Sequence, residues 1–288
     1  MTSLAERPIV KMNGIGNAIA VLDLRGSSDV IGAAEARAIN GVPSLAFDQL
    51  MVLHDGTGGE GAARLKIYNN DGSTSDACGN GTRCVAYLMM RGSPGKKLLL
   101  ESDAGPLPVT REGEFTFTVD MGRPRFGWRD IPLARDVGNT GAVRLDPPVA
   151  GAPDVFAALS MGNPHAVFFV RDAGAVELYE LGPKIEHHAL FPERANVSFA
   201  QIIHRERILL RVWERGAGAT LACGSAACAA LVAAARAGLT DRRASVALPG
   251  GELTIAWRAE DDHVLMTGQV ELEFETRLNA AIFAEAAA

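Results

Sequence analysis

Two cysteines stand in matched surroundings, 145 residues apart in a chain of 288. Each lies in the tripeptide Ala-Cys-Gly, at Ala77-Cys78-Gly79 and at Ala222-Cys223-Gly224. A polar, glycine-bearing stretch precedes each (NNDGSTSD and ERGAGATL), and a helix-like run with a second cysteine follows each (TRCVAYLMM and SAACAALVAAARA). A thiol that begins a helix meets free backbone N–H groups and the positive end of the dipole, and both favour thiolate. Gly79, Gly81 and Gly224 let a ligand come close to the backbone. The same N–H groups can hold a carboxylate. This pairing suits removal of a proton beside a carboxylate, with donors stabilising the developing charge and the thiolate taking the proton. Two thiols facing one carbon from two domains can take a proton from one side and return one to the other. That is two-base racemisation or epimerisation, and it needs one thiolate and one thiol.

The elements that must position these thiols repeat along the chain. Gly16-Asn17 precedes the strand-like AIAVLDL, and Gly162-Asn163 precedes PHAVFFV. From Asn17 to Cys78 is 61 residues, and from Asn163 to Cys223 is 60. Between them, FDQLMVL around Gln49 parallels RANVSFAQI around Asn196, and the acidic helix-like GAAEARAIN parallels RDAGAVELYE. Four correspondences in one order at near-constant offset point to a duplication. The remaining runs (KKLLLES, PLPVTRE, EFTFTVDM, ILLRVWE, RASVALP, ELTIAWR, HVLMTGQVELEFE) read as strands between Gly, Pro and Asp-Gly turn signals. The expected fold is a mixed α/β arrangement of two pseudo-symmetric domains, each with strands around one long apolar helix. The alanine-rich run after Cys223 is apolar nearly all round, as a buried central helix would be. MGRPRFG at 121–127 reads as the crossing between halves. The expected domains are 1–123 with a strand returning at about 270–288, and 124–269.

Composition narrows the function. Net charge is −6 and no basic stripe is interleaved with aromatics, which argues against nucleic acid. No signal-like apolar N-terminus and no run of about 18 apolar residues is present, so neither secretion nor a membrane span is expected. Four cysteines in this length make no disulfide scaffold, and their spacings lack the C-x-x-C rhythm of zinc or thioredoxin sites. The expected setting is the reducing cytoplasm, with no metal. Only five lysines occur (Lys11, Lys66, Lys96, Lys97, Lys184), none in a cysteine segment, which weakens a pyridoxal Schiff-base route.

Each candidate also has a plainer reading. Cys84 and Cys228, inside the helical runs, read better as small buried hydrophobes. Asn17, Asn69, Asn163 and Asn196 could each be a turn residue or a cap. His165, ahead of an apolar strand, could be structural. Glu214 and Arg215 could be an exposed ion pair of little energetic value. GTGGEG at 56–61 fits G-x-G-x-x-G, but AARLKIY runs only seven residues before the next turn, too short for the crossover helix of a dinucleotide site, and a hairpin loop is expected.

The segments KMNGIGNAIAVLD, FDQLMV, NNDGSTSDACGNGTRC, SMGNPHAVFFV, ERANVSFAQ and ERGAGATLACGSAAC resemble those of the diaminopimelate epimerase family, from about residue 8 to about residue 275. The resemblance implies two similar α/β domains with the site in the cleft between them. It implies interconversion of LL- and meso-2,6-diaminopimelate without pyridoxal phosphate or another cofactor, in lysine and peptidoglycan precursor biosynthesis, by a homodimer. By position, Cys78 and Cys223 resemble the acid/base pair. Gly79, Asn80, Gly224 and Ser225 resemble the donors to the reacting end. Asn17, Gln49, Asn69, Asn163, Asn196, Glu214 and Arg215 resemble the substrate-holding side chains, and His165 and Glu214 the groups that tune the thiols. The substrate has two zwitterionic ends, so one must be fixed while the other reacts. Arg215 could grip a carboxylate with its planar fork, and Glu214 could accept from an ammonium.

Three positions depart from the family's usual residues. Ala18-Ile19 stands where Asp-Phe is common, Ala219 where Glu or Gln is common, and Ala226 where Gly is common. Proline and hydroxyproline racemase-like proteins share the paired-thiol idea, but they tend to carry His where Asn80 stands and have no need of a clamp for a distal end. A redox-sensing or metal-binding module is the alternative from another class, which zinc analysis would decide.

Overall fold

The computed structural model describes residues 4–56, 63–103 and 105–283. The chain divides into two compact units, Met1–Val119 with Gly268–Ala288, and Asp120–Thr267. In the first, the strands are β1 (Pro8–Asn13) and β2 (Ala18–Asp23), then after helix α1 (Ala33–Asn40) β3 (Gln49–His54), β4 (Ala63–Asn69) and the short β5 (Thr74–Ser75). Helix α2 (Gly79–Met90) follows, then β6 (Lys97–Ser102), β7 (Gly105–Arg111) and β8 (Thr116–Asp120). In the second, β9 (Ala157–Ser160) and β10 (Pro164–Phe169) lead to α3 (Leu178–Glu186), β11 (Asn196–His204), β12 (Arg207–Glu214) and the short β13 (Gly218–Ala219). Helix α4 (Gly224–Arg236) follows, then β14 (Arg243–Leu248), β15 (Gly251–Trp257) and β16 (Val264–Gln269). A last strand, β17 (Glu271–Arg277), pairs antiparallel with β1.

The duplication is written in the pairing. β1–β2 is antiparallel, β2–β3 parallel, β3–β4 antiparallel, β4–β6 parallel, and β6–β7 and β7–β8 antiparallel. The second unit repeats this sequence in β9–β10, β10–β11, β11–β12, β12–β14, β14–β15 and β15–β16. β5 and β13 each fold back on the strand before them. Each parallel pair is bridged by a crossover holding a helix, α1 for β2–β3, α2 for β4–β6, α3 for β10–β11 and α4 for β12–β14, as parallel strands require.

One long helix lies against the strands of each unit. α2 packs on β2, β3 and β7, while α4 packs on β9, β10, β11, β12, β14 and β15. Residues Ala226 through Ala234 of α4 are all buried, and alanine lets the strands come close on every side. At the start of α2 the approach is closer still. A Cβ on Gly81 would lie 2.4 Å from Met51 Sδ on β3, so only glycine fits without repacking. The core of the second unit stacks Phe156, Phe168, Phe191 and Phe199, with Phe168 and Phe199 centroids 5.4 Å apart.

The strand-like runs become strands and the helix-like runs helices, with two differences in detail. HVLMTGQVELEFE divides into β16 and β17. RDAGAVELYE is helical only from Leu178. Asp172 Oδ1 accepts from the N–H groups of Gly174 and Ala175, and this local turn competes with the helix. PIVKMN forms a strand whose partners, β2 and β17, lie on either side of it.

Candidate active site

Cys78 is the N-cap of α2, with extended φ −145° and ψ 100°. Its Sγ accepts the Gly81 N–H at 3.3 Å, and the Thr82 N–H and hydroxyl both return to the Cys78 carbonyl at 2.8 Å. The cysteine thus holds the first turn of its own helix. Gln49 begins β3, opposite Ile19 on β2 and Asn69 on β4. Its Oε1 accepts from Cys78 Sγ at 3.6 Å. Asn69 closes the turn to Ser73, with Nδ2 donating to Ser73 Oγ at 2.9 Å. Asn80 is buried, and its Oδ1 accepts from Arg83 at 3.0 Å. Asn17 donates to Asp48 Oδ2 at 3.3 Å, and the same oxygen takes the Ala18 N–H at 2.8 Å. The Asn17 Oδ1 is buried and has no hydrogen-bond partner.

Cys223 is the N-cap of α4 and only 5% exposed. Its pKa is raised well above the ordinary 9.0, by burial first and then by the charge and hydrogen bond of Glu214. The Ser225 hydroxyl, 3.6 Å from Sγ, and the Ala226 N–H act in the opposite direction. The expectation that a helix start favours thiolate is therefore corrected at Cys223. A helix dipole contributes about 0.3–1 kcal/mol, and loss of solvent beside a carboxylate outweighs it.

Glu214 ends β12 and accepts from the Thr220 hydroxyl. The Arg215 N–H donates to Asn196 Oδ1 at 3.0 Å, and its exposed guanidinium donates to the Glu193 carbonyl at 3.3 Å. Asn196 begins β11 opposite His165, and its Nδ2 donates to the Pro164 carbonyl at 3.0 Å. Asn163 joins two groups, with Nδ2 donating to Ser225 Oγ at 3.3 Å and Oδ1 lying 2.8 Å from His165 Nε2. A carbonyl oxygen only accepts, so His165 carries its proton on Nε2. His165 is fully buried, its Nδ1 has no partner, and its pKa falls to about 3 through burial and then the charge of Arg215. The imidazole is neutral. Polar contacts therefore run from His165 through Asn163 and Ser225 to Cys223.

Cys84 and Cys228 are both fully buried within α2 and α4, and burial pushes the Cys84 thiol up to about 12. The small-hydrophobe reading accounts for both. Of the departures, Ile19 is fully buried opposite Gln49, Ala226 is buried within α4, and Ala219 pairs with Trp213. In the glycine-rich 56–61 segment, positions 57–61 lie outside the described residues. Among the described residues no group of three or more His, Cys, Asp or Glu could hold a metal, and no helix is long and apolar enough to cross a membrane. Asp48 and Thr220, which hold Asn17 and Glu214, were not among the site residues expected from the sequence, though both lie inside segments that carry the family resemblance, FDQLMV and ERGAGATLACGSAAC.

Two units of one pairing scheme, each opening its long helix at a cysteine, define the two-domain fold of racemases and epimerases, a class of isomerases. A probable proline racemase from Agrobacterium radiobacter K84 has this fold, with a TM-score of 0.68 at 14% identity over 98% of this chain and 95% of that one. The family model for diaminopimelate epimerase matches residues 9–127 and 157–273. The diaminopimelate epimerases of Methylocella silvestris and Methylobacterium sp. strain 4-46 are each 57% identical to this chain, over the full length of both partners in each comparison. The chain belongs to the diaminopimelate epimerase family.

Proposed function

We propose that the chain interconverts LL- and meso-2,6-diaminopimelate, with Cys78 and Cys223 as the two proton-transfer groups. The observation that carries the assignment of roles is the environment of Cys223, buried beside Glu214 and held as a thiol. A two-base reaction needs one thiol and one thiolate, so with Cys223 as the thiol, Cys78 acts as the base once the proton it donates to Gln49 has left. Cys78 Sγ takes the α proton, and the Gln49 carbonyl accepts from the thiol so formed. The electron pair left on the α carbon is delocalised into the carboxylate, which the N–H groups of Gly79 and Asn80 and of Gly224 and Ser225 stabilise. Cys223 delivers its proton to the opposite face. The product has the inverted centre, Cys78 is a thiol and Cys223 a thiolate, and the reverse reaction starts from that state.

Glu214 receives the ammonium at the reacting end. That positive charge offsets the carboxylate beside Cys223, so substrate binding makes the thiol a stronger acid. The unpartnered Asn17 Oδ1 is an acceptor for a substrate N–H. Asn69, Asn163, Asn196 and Arg215 serve the remaining polar groups, with Arg215 on the distal carboxylate. His165 stays neutral and orients Asn163. The working halves are the two compact units, Met1–Val119 with Gly268–Ala288 and Asp120–Thr267, each bringing one thiol. The family resemblance also supports a homodimer in the cytoplasm, and sedimentation equilibrium should then give twice the 30.4 kDa of one chain.

The test uses reduced, pyridoxal-free protein in deuterated water, with LL-diaminopimelate and, in parallel, L-proline. α-Deuterium incorporation and meso isomer are expected from diaminopimelate alone. Cys78→Ser and Cys223→Ser should each lower epimerisation by at least about 100-fold, because a hydroxyl is a far poorer base than a thiolate. Turnover of proline alone would move the chain to one-ended substrates. Epimerisation at wild-type rate in either serine variant would end the two-thiol assignment.

A further inference from the structure

Glu186 is a buried carboxyl group that the reaction itself does not use. It is the last residue of α3 and its side chain is 4% exposed. Its Oε2 accepts from Trp213 Nε1 at 2.7 Å, and its Oε1 accepts from the Gly216 N–H at 2.8 Å. Trp213 and Gly216 flank Glu214 and Arg215, so one carboxylate grips both ends of the turn that carries them. Arg194 Nη1 stands 3.8 Å from Oε1, and the neighbouring Glu193 carbonyl holds the Arg215 guanidinium at 3.3 Å. The same carboxylate thus anchors the backbone beside Arg215 and the loop on which its side chain rests.

The packing leaves this arrangement little freedom. A Cβ on Gly182 of α3 would lie 2.4 Å from Trp213 Cγ, so the indole sits directly on the helix backbone and its N–H reaches Glu186. Gly216 and Gly218 take positive φ of 76° and 83°, which glycine reaches without strain but with a large loss of conformational freedom, so hydrogen bonds from outside the turn help to order it. Asn196 Oδ1 supplies the second hold, on the Arg215 N–H.

We infer that Glu186 is the positioning residue for the Glu214–Arg215 turn, and that it sets the affinity for the distal end of a two-ended substrate without touching that substrate. The inference rests on the proposed role of Arg215 as the distal-carboxylate grip. A loosened turn still presents both thiols, and Glu214 keeps its own hold from the Thr220 hydroxyl, so the loss should fall on binding through Arg215 and not on the chemical step.

The test compares Glu186→Gln, Arg215→Ala and the double variant by steady-state kinetics with LL-diaminopimelate, and by hydrogen exchange of the segment 213–218. Glu186→Gln keeps the shape, but its amide N–H₂ replaces one acceptor facing an N–H donor. It should raise KM by about tenfold or more and leave kcat within about threefold. The 213–218 segment should exchange faster in Glu186→Gln and as wild type in Arg215→Ala. In the Arg215→Ala background, Glu186→Gln should add little to KM, because both act through one group. Glu186→Asp, which retains both oxygens, should recover part of the loss, and it carries the test if the glutamine variant does not fold. Wild-type exchange and KM in Glu186→Gln, or a fall confined to kcat, would overturn the positioning role. Arg215→Ala with a wild-type KM, alongside faster exchange in Glu186→Gln, would instead remove the distal-grip reading and leave Glu186 as the anchor of the turn.

Discussion

Glu214 stands beside Cys223 at the end of β12, and together with burial it holds that thiol protonated. A carboxylate disfavours a neighbouring thiolate, and an amide of the same shape does not. In a Cys78→Ser background, Glu214→Gln should therefore let the Cys223 thiolate form at lower pH, read by its ultraviolet absorbance. Its pKa should stay above the ordinary 9.0, because burial, the larger cause, is unchanged. An unshifted titration would remove Glu214 from the thiol's surroundings. His165 gives a stability prediction of definite sign. Its pKa drops from 6.5 unfolded to about 3 folded. Below the unfolded value the unfolded chain binds a proton that the folded chain refuses, so stability is lost as pH falls through that window. His165→Gln keeps a donor for Asn163 and lacks the titration. Between about pH 7 and about pH 5 it should lose about 2 kcal/mol less unfolding free energy than wild type in denaturant titrations. Residue types and their repeat drew attention to Cys78, Cys223, Glu214 and His165. The upward shift of Cys223 was not legible, because it depends on how deeply α4 is buried and on a carboxylate delivered by another strand.

Helices α2 and α4 carry the thiols, and both were readable as apolar runs after a cysteine and a glycine. Their starts are fixed by what packs on them. Gly81→Ala would place a Cβ against the buried Met51 side chain and displace the turn that Cys78 caps. Overpacking of this kind costs about 1–3 kcal/mol. A lowered Tm and a clear fall in kcat are expected, and Met51→Ala in the same chain should restore part of both. A variant with wild-type Tm and activity would show that α2 does not need this close approach. Strands were legible from runs such as AIAVLDL and PHAVFFV, where β-branched and apolar residues lie between glycine turns. The start of α3 was not, since 171–180 has helix-like composition and Asp172 spends it on a local turn.

At the scale of the whole chain, the two halves share one order of parallel and antiparallel pairing, which makes the duplication physical. A ligand bound only by the folded protein raises its stability by about 2.7 kcal/mol at a hundred times Kd. LL-diaminopimelate at that excess should raise Tm by roughly 5 °C. L-proline, which leaves the distal-end groups without a partner, should leave Tm unchanged, and equal shifts for both would argue against recognition of two ends. The order of elements, the repeat and the cysteine at the head of each long helix can all be read from the chain alone. These follow from local periodicity, turn residues and spacing, which any short stretch of chain displays. Which thiol is held protonated, and what anchors the turn beside it, emerges once the chain is packed. Glu186 lies 27 residues from Trp213 and 30 from Gly216, and Asp48 lies 31 from Asn17. Burial and hydrogen bonds across such separations arise when strands and helices pack, and no local pattern encodes them.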